Sequence, residues 1–147
     1  MKLTDDVGAV LARYVHVHDV VYKFNWRKVL LIPGLFRAID YGSLQPELDD
    51  VLRKLKGCSA ATQRLARRER SGDHTTRMFL DLMQPYLAAL RGAVQQLREI
   101  CGNLTTRADG SSRYTMQRFK GDSRHYDSAV VIYTELGRRV NDVGRRI

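Results

Sequence analysis

Between residues 79 and 104 the apolar side chains recur without a break: Phe79, Leu82, Met83, Tyr86, Leu87, Leu90, Val94, Leu97, Ile100, Cys101 and Leu104. Steps of three and four put them all on one face of an α-helix, a period that no strand can present. With Asp73 capping it after the turn at Ser71-Gly72, the helix runs from His74 to Leu104, about 46 Å at about 1.5 Å per residue. Pro85 lies inside it, where its ring displaces the carbonyl of Asp81 and predicts a kink. A helix of that length with one apolar face needs partners along all of it.

Three further helices can supply them. Thr4 caps the first, about 4–25, whose stripe is Val7, Leu11, Tyr14, His18 and Val21, widened by Val10, Val17 and Phe24. Ser43 caps the second, about 44–70, with Pro46 and Glu47 in its first turn and Leu48, Val51, Leu52, Leu55, Thr62 and Leu65 on its apolar face. Gly57-Cys58-Ser59 is a point where this helix can divide. After a polar connection at 105–112 and a short helical piece, Arg113–Lys120, Asp122 caps the last helix, about 123–146, with Ala129, Val130, Tyr133, Leu136, Val140, Val143 and Ile147 on its apolar stripe. The short link between the second and third helices makes them antiparallel neighbours. The expected fold is therefore all-α, an antiparallel bundle of four main helices. With 147 residues and 44% hydrophobic side chains, the chain can bury a real core as one domain, 1–147.

The first connection is long and unusually apolar. Pro33-Gly34 stops any helix crossing it, yet Trp26, Val29, Leu30, Leu31, Ile32, Leu35 and Phe36 do not suit a solvated loop. Packed inward, the segment caps the open end of the bundle. Left exposed, Trp26, Leu30, Leu31, Leu35 and Phe36, flanked by Arg27, Lys28 and Arg37, form a patch for a protein partner or for self-association. Aromatic and arginine side chains are what interface hot spots favour.

Charge is the other strong feature. Lys and Arg number 25 against 16 Asp and Glu, a formal charge of +9, and Arg outnumbers Lys 19 to 6. In an up-down-up-down bundle one pole gathers Arg64, Arg67, Arg68, Arg70, Arg77, Arg138, Arg139, Arg145 and Arg146 against Glu69, Asp73, Glu135 and Asp142, with Asp5 and Asp6 diluting it. The opposite pole collects Arg27, Lys28, Arg107, Arg113, Arg118, Lys120 and Arg124, accompanied by the aromatic residues Trp26, Tyr114, Phe119 and Tyr126. Arginines at helix C-termini also complement the helix dipole, which needs no partner at all. As binding groups they pair with phosphates, exposed aromatic faces stack on unpaired bases, and the same cations meet acidic protein surfaces. No helix-turn-helix spacing, zinc-finger Cys/His set or single-strand-binding motif narrows the choice.

Catalytic constellations are missing. His16 and His18 would share a metal on a strand but sit about 200° apart on a helix, so His18 reads as a packed core histidine and His16 as a surface one. Asp122 and His125 stand three apart, yet a four-helix di-iron site needs Glu-x-x-His on two helices, and this chain has none. Cys58 and Cys101 are too far apart along antiparallel helices to be bridged; Cys101 lies on the apolar stripe and Cys58 is expected to be the more exposed. Phosphate-binding glycine loops, zinc-protease, serine-hydrolase and kinase signatures are absent, so no cofactor or metal is implied. The longest apolar run, Val29 to Ile32, is too short to cross a bilayer, and the acidic start Thr4-Asp5-Asp6 does not fit a secretory signal. The expectation is an intracellular, cytoplasmic, non-catalytic interaction or assembly subunit. It would bind a protein partner through the apolar connector and a basic pole. The alternative is an RNA- or DNA-binding accessory protein using its arginine-rich ends.

Overall fold

A computed structural model of the chain describes residues 2–22, 40–69, 72–108, 110 and 113–147. Four helices make up nearly all of this: α1 (Lys2–Tyr22), α2 (Tyr41–Arg68), α3 (His74–Ala108) and α4 (Met116–Gly144), with no strand among the described residues. Cross-helix pairs give the antiparallel order directly. Arg13 of α1 meets Asp50 of α2. Arg98 of α3 meets Asp49 of α2, while farther along α2 Ser59 faces Gln84, whose Nε2 donates to the Ser59 carbonyl at 3.2 Å. Phe79 and Tyr86 of α3 lie against Gly144 and Gly137 of α4. The all-α antiparallel bundle read from the periodicity is the fold observed.

The α3 stripe is its spine. Leu80, Met83, Leu87, Leu90, Leu97, Ile100 and Leu104 are fully buried against Leu48, Val51 and Leu55 of α2 and Tyr14, Val17 and Val21 of α1. Each such aliphatic side chain removed from water contributes about 1.5–3 kcal/mol, opposed by the conformational entropy of the ordered chain. α1 and α4 are joined differently. Their backbones stay farther apart than those of α1 and α2, α2 and α3, or α3 and α4, and aromatic side chains fill the gap.

Several local expectations are corrected. α2 begins at Tyr41, not after Ser43: the Asp40 carboxylate accepts from Ser43 N at 3.2 Å, and the Ser43 hydroxyl donates back to the Asp40 carbonyl at 2.8 Å. Pro46 is thereby moved from the first turn to the second. α2 also runs unbroken through Gly57, because Val51 and Leu55 before it and Cys58 and Thr62 after it are buried and hold one helix axis. α3 is continuous across Pro85 and reaches Ala108. The piece at 113–120 and the last helix are one element, capped not by Asp122 but by Thr115, whose side chain accepts from Arg118 N at 3.1 Å. Asp122 instead accepts from the Tyr114 hydroxyl at 2.6 Å. Both cysteines are buried, Cys58 being the less completely so, as expected. Ile147, expected on the apolar face of the last helix, lies past its end and is exposed.

Candidate binding surface

The antiparallel order brings the end of α2, the start of α3 and the end of α4 to one pole, so the arginines named there do gather. Arg64, Arg67, Arg68, Arg77, Arg138, Arg139, Arg145 and Arg146 are all exposed; Arg70 lies outside the described residues. They are not equivalent. Arg138 donates to Glu135 at 2.9 Å and to Asp142 at 3.2 Å, and Arg139 donates to the same Glu135 at 3.2 Å. Those guanidinium groups hold the Glu135 carboxyl below its usual range, and the local charge is largely balanced. Among the described residues Arg64, Arg67, Arg68, Arg145 and Arg146 have no carboxylate partner. Arg67 and Arg68 sit in the last turn of α2, where they complement its dipole. Arg145 and Arg146 follow the last turn of α4. The uncompensated positive charge of this pole is therefore on α2 and at the C-terminus.

The opposite pole is built otherwise than the sequence implied. Arg113, Arg118, Lys120 and Arg124 are exposed, but Tyr114, Phe119 and Tyr126 are buried. Phe119 stands edge-on to Tyr114, and the Tyr126 ring stacks on Tyr22 at 5.5 Å with 6° between planes. Arg118 lies over the Tyr114 ring, 5.4 Å from its centre. These aromatic faces belong to the core and are not presented to an unpaired base. The partner patch expected at Trp26, Leu30, Leu31, Leu35 and Phe36 lies outside the described residues.

A feature that sequence reading missed lies between α1 and α2, a groove of about 790 Å³. Its apolar lining is Leu3, Ala9 and Val10 from α1 and Gly57, Cys58, Ala61 and Leu65 from α2; its rim is Lys2, Arg13, Lys54, Arg64 and Arg68, with Asp6 as the acid lining it. Arg13 and Lys54 both reach Asp50, so their charge is shared at one end. Lys2 and Arg64 have no carboxylate partner among the described residues, and with Arg68 they leave the other end, at the arginine pole, positive. The available signal was the run of small or short residues, Ala9, Gly57 and Ala61, at helical spacing on faces outside the main stripe.

Both thiols are buried and free, the Cys101 thiol pushed up to about 12 by burial and the Cys58 thiol pushed up by burial and by the nearby Asp6 carboxylate. Burial of this kind disfavours the nucleophilic thiolate. Among the described residues no three His, Cys, Asp or Glu side chains converge as a metal site requires. His16 is exposed, whereas the half-buried His18 places Nδ1 2.7 Å from the Tyr126 hydroxyl. No helix among the described residues is long and apolar enough to cross a membrane. No protein family matches the chain, and no curated protein or solved structure is detectably similar to it.

Proposed function

We propose that this chain is a non-catalytic interaction subunit that binds an acidic protein partner through its arginine pole. The observation that carries the reading is the convergence of Arg64, Arg67 and Arg68 with Arg145 and Arg146 at one end of the bundle, exposed and without carboxylates of their own among the described residues. Exposed cations left uncompensated cost self-repulsion in the free protein, a cost removed when a negatively charged surface docks. Burial of Tyr114, Phe119 and Tyr126 favours a protein over single-stranded nucleic acid, because stacking platforms supply much of the sequence-tolerant affinity for unpaired bases. Duplex DNA or RNA remains the second reading, supported by Arg138 on α4 and Arg145 just past its end, both exposed.

The test is fluorescence anisotropy of labelled polyglutamate, RNA and duplex DNA with the full chain between about 50 and 200 mM salt, where phosphate contacts give a steep dependence. The expected result is tighter binding of polyglutamate than of either nucleic acid at equal charge, weakened by Arg64→Glu and by Arg145→Glu. Preference for a nucleic acid with a steep salt slope would transfer the pole to the second reading. Absence of binding to all three would remove polyanion recognition altogether.

A further inference from the structure

The groove between α1 and α2 opens beside the same arginine pole, and its chemistry is more selective than the pole itself. A polyanion alone has no use for a floor of Ala9, Val10, Gly57, Ala61 and Leu65. A purely apolar partner has no use for a rim carrying five cations and one acid. We propose that this groove docks an amphipathic, acidic α-helix of the partner protein, its apolar row against the small-residue floor and its carboxylates against Lys2, Arg64 and Arg68 at the end beside the arginine pole. This rests on the acidic-partner reading and specifies what kind of acidic surface is recognised.

Dimensions fit such an occupant. The lining residues run from Lys2 to Arg13 on α1 and from Lys54 to Arg68 on α2. At about 1.5 Å per residue these walls are about 16 and 21 Å long, the length of a helix of about 11 to 14 residues. A cavity of about 790 Å³ takes a row of apolar side chains rather than a whole helix, the arrangement of a helix laid in a groove. Small side chains in the floor let two backbones approach closely. Charge complementarity selects the partner: a chain of net charge +9 is repelled by a second copy of itself, whereas acidic flanks on an incoming helix meet the rim. Lys2 and Arg64 have no carboxylate to surrender before pairing, at least among the described residues.

Gly57 makes the proposal testable without damage to the fold. It lies inside α2 at an exposed position, and a Cβ built there meets nothing within 4 Å. Gly57→Leu therefore fills the groove while improving helix propensity. Ala9→Leu fills it from the exposed opposite wall, as a second variant whose folding is judged independently by circular dichroism. The probe is a labelled synthetic helix of about 14 residues with leucines at steps of three and four and glutamates on both flanks, compared with a scrambled peptide of identical composition and with polyglutamate. The full chain is expected to bind the amphipathic peptide at least about tenfold more tightly than the scrambled one. Both filled variants should lose that preference while keeping their affinity for polyglutamate.

Equal affinity for the two peptides, or undiminished preference in both filled variants, overturns the groove proposal and leaves the acidic-partner reading standing if polyglutamate still binds. Failure of polyglutamate together with both peptides overturns the two readings together. Sedimentation showing a dimer of the free chain that Gly57→Leu dissociates assigns the groove to a second copy instead. Displacement of the amphipathic peptide by micromolar-range dodecanoate assigns it to an anionic amphiphile. Either of these also overturns the proposal.

Discussion

The hydroxyls of Tyr14 and Tyr126 are hydrogen-bonded to each other across the boundary between α1 and α4, with both rings buried. The Tyr126 hydroxyl is also 2.7 Å from His18 Nδ1. A phenol has one proton to give, so Tyr126 donates to one of these neighbours and accepts from the other. Tyr22 adds a bond to Ser123 at 3.1 Å and lays its ring parallel to those of Tyr126 and Phe119. Where α1 and α4 lack close backbone contact, this chain of tyrosines sets their register. A shift of either helix by a turn would leave buried hydroxyls without partners.

Tyr126→Phe removes the hydroxyl that Tyr14 and His18 share and takes one buried hydrogen bond from each, so it should cost about 1–3 kcal/mol in unfolding free energy. Tyr14→Phe leaves Tyr126 bonded to His18 and should cost less. The double variant should cost less than the sum, because the Tyr14–Tyr126 bond is lost in each single variant and can be lost only once. Urea unfolding of the three variants measures this, and strict additivity would mean that the hydroxyls do not interact.

Alkaline pH should unfold the protein cooperatively. Burial, the largest cause in each case, pushes Tyr22 and Tyr86 up to about 12 and Tyr14, Tyr114 and Tyr126 higher still. Their ordinary value is 10.0, so above that pH the unfolded chain releases protons that the folded chain retains, and stability falls as pH rises. Below pH 10 this contribution is fully present. Tyrosinate absorbance should appear in a sharp step together with loss of helical ellipticity. Smooth ionisation of these five tyrosines near their ordinary value with the helices intact would contradict the burial described.

Two glycines of the bundle should respond oppositely to alanine. A Cβ at Gly137 would lie 3.0 Å from the Tyr86 ring, which is buried and cannot swing away, whereas one at Gly92 meets nothing within 4 Å. Gly92→Ala should stabilise by about 0.5–1 kcal/mol from helix propensity alone. Gly137→Ala gains the same propensity but must force α4 from α3, and overpacking of about 1–3 kcal/mol makes it a net loss. Thermal melts of the two variants decide it; equal stabilisation would show α4 free to move outward.

The start of α4 can be located by its caps. Thr115→Ala should cost about 1 kcal/mol by exposing the Arg118 amide to solvent without its partner. Asp122→Asn keeps an acceptor for the Tyr114 hydroxyl and should cost less than Thr115→Ala. A loss for Thr115→Ala no larger than that for Asp122→Asn in chemical denaturation would show that Thr115 is not the cap.

The helices and their antiparallel order were legible in the chain because burial period is a local property. Phe79 to Leu104 repeat at three and four whatever they pack against, and a turn at 71–73 leaves α2 and α3 only one way to meet. Arginine convergence at one pole follows from that order alone. The caps were less legible: Asp40 and Ser43, or Thr115 and Asp122, are all competent acceptors, and the choice depends on how much of Tyr41 and Phe119 the core can bury. Packing also reassigned the aromatic residues. Tyr114, Phe119 and Tyr126 lie among basic residues in sequence, yet the gap between α1 and α4 draws them inward, since burying such rings is worth more than leaving them beside exposed cations. The Tyr14–Tyr126 bond and the groove walled by Ala9 and Gly57 belong wholly to the tertiary structure. Each joins residues far apart in the chain, and their proximity depends on the distance between helix axes, which no pattern within one helix encodes.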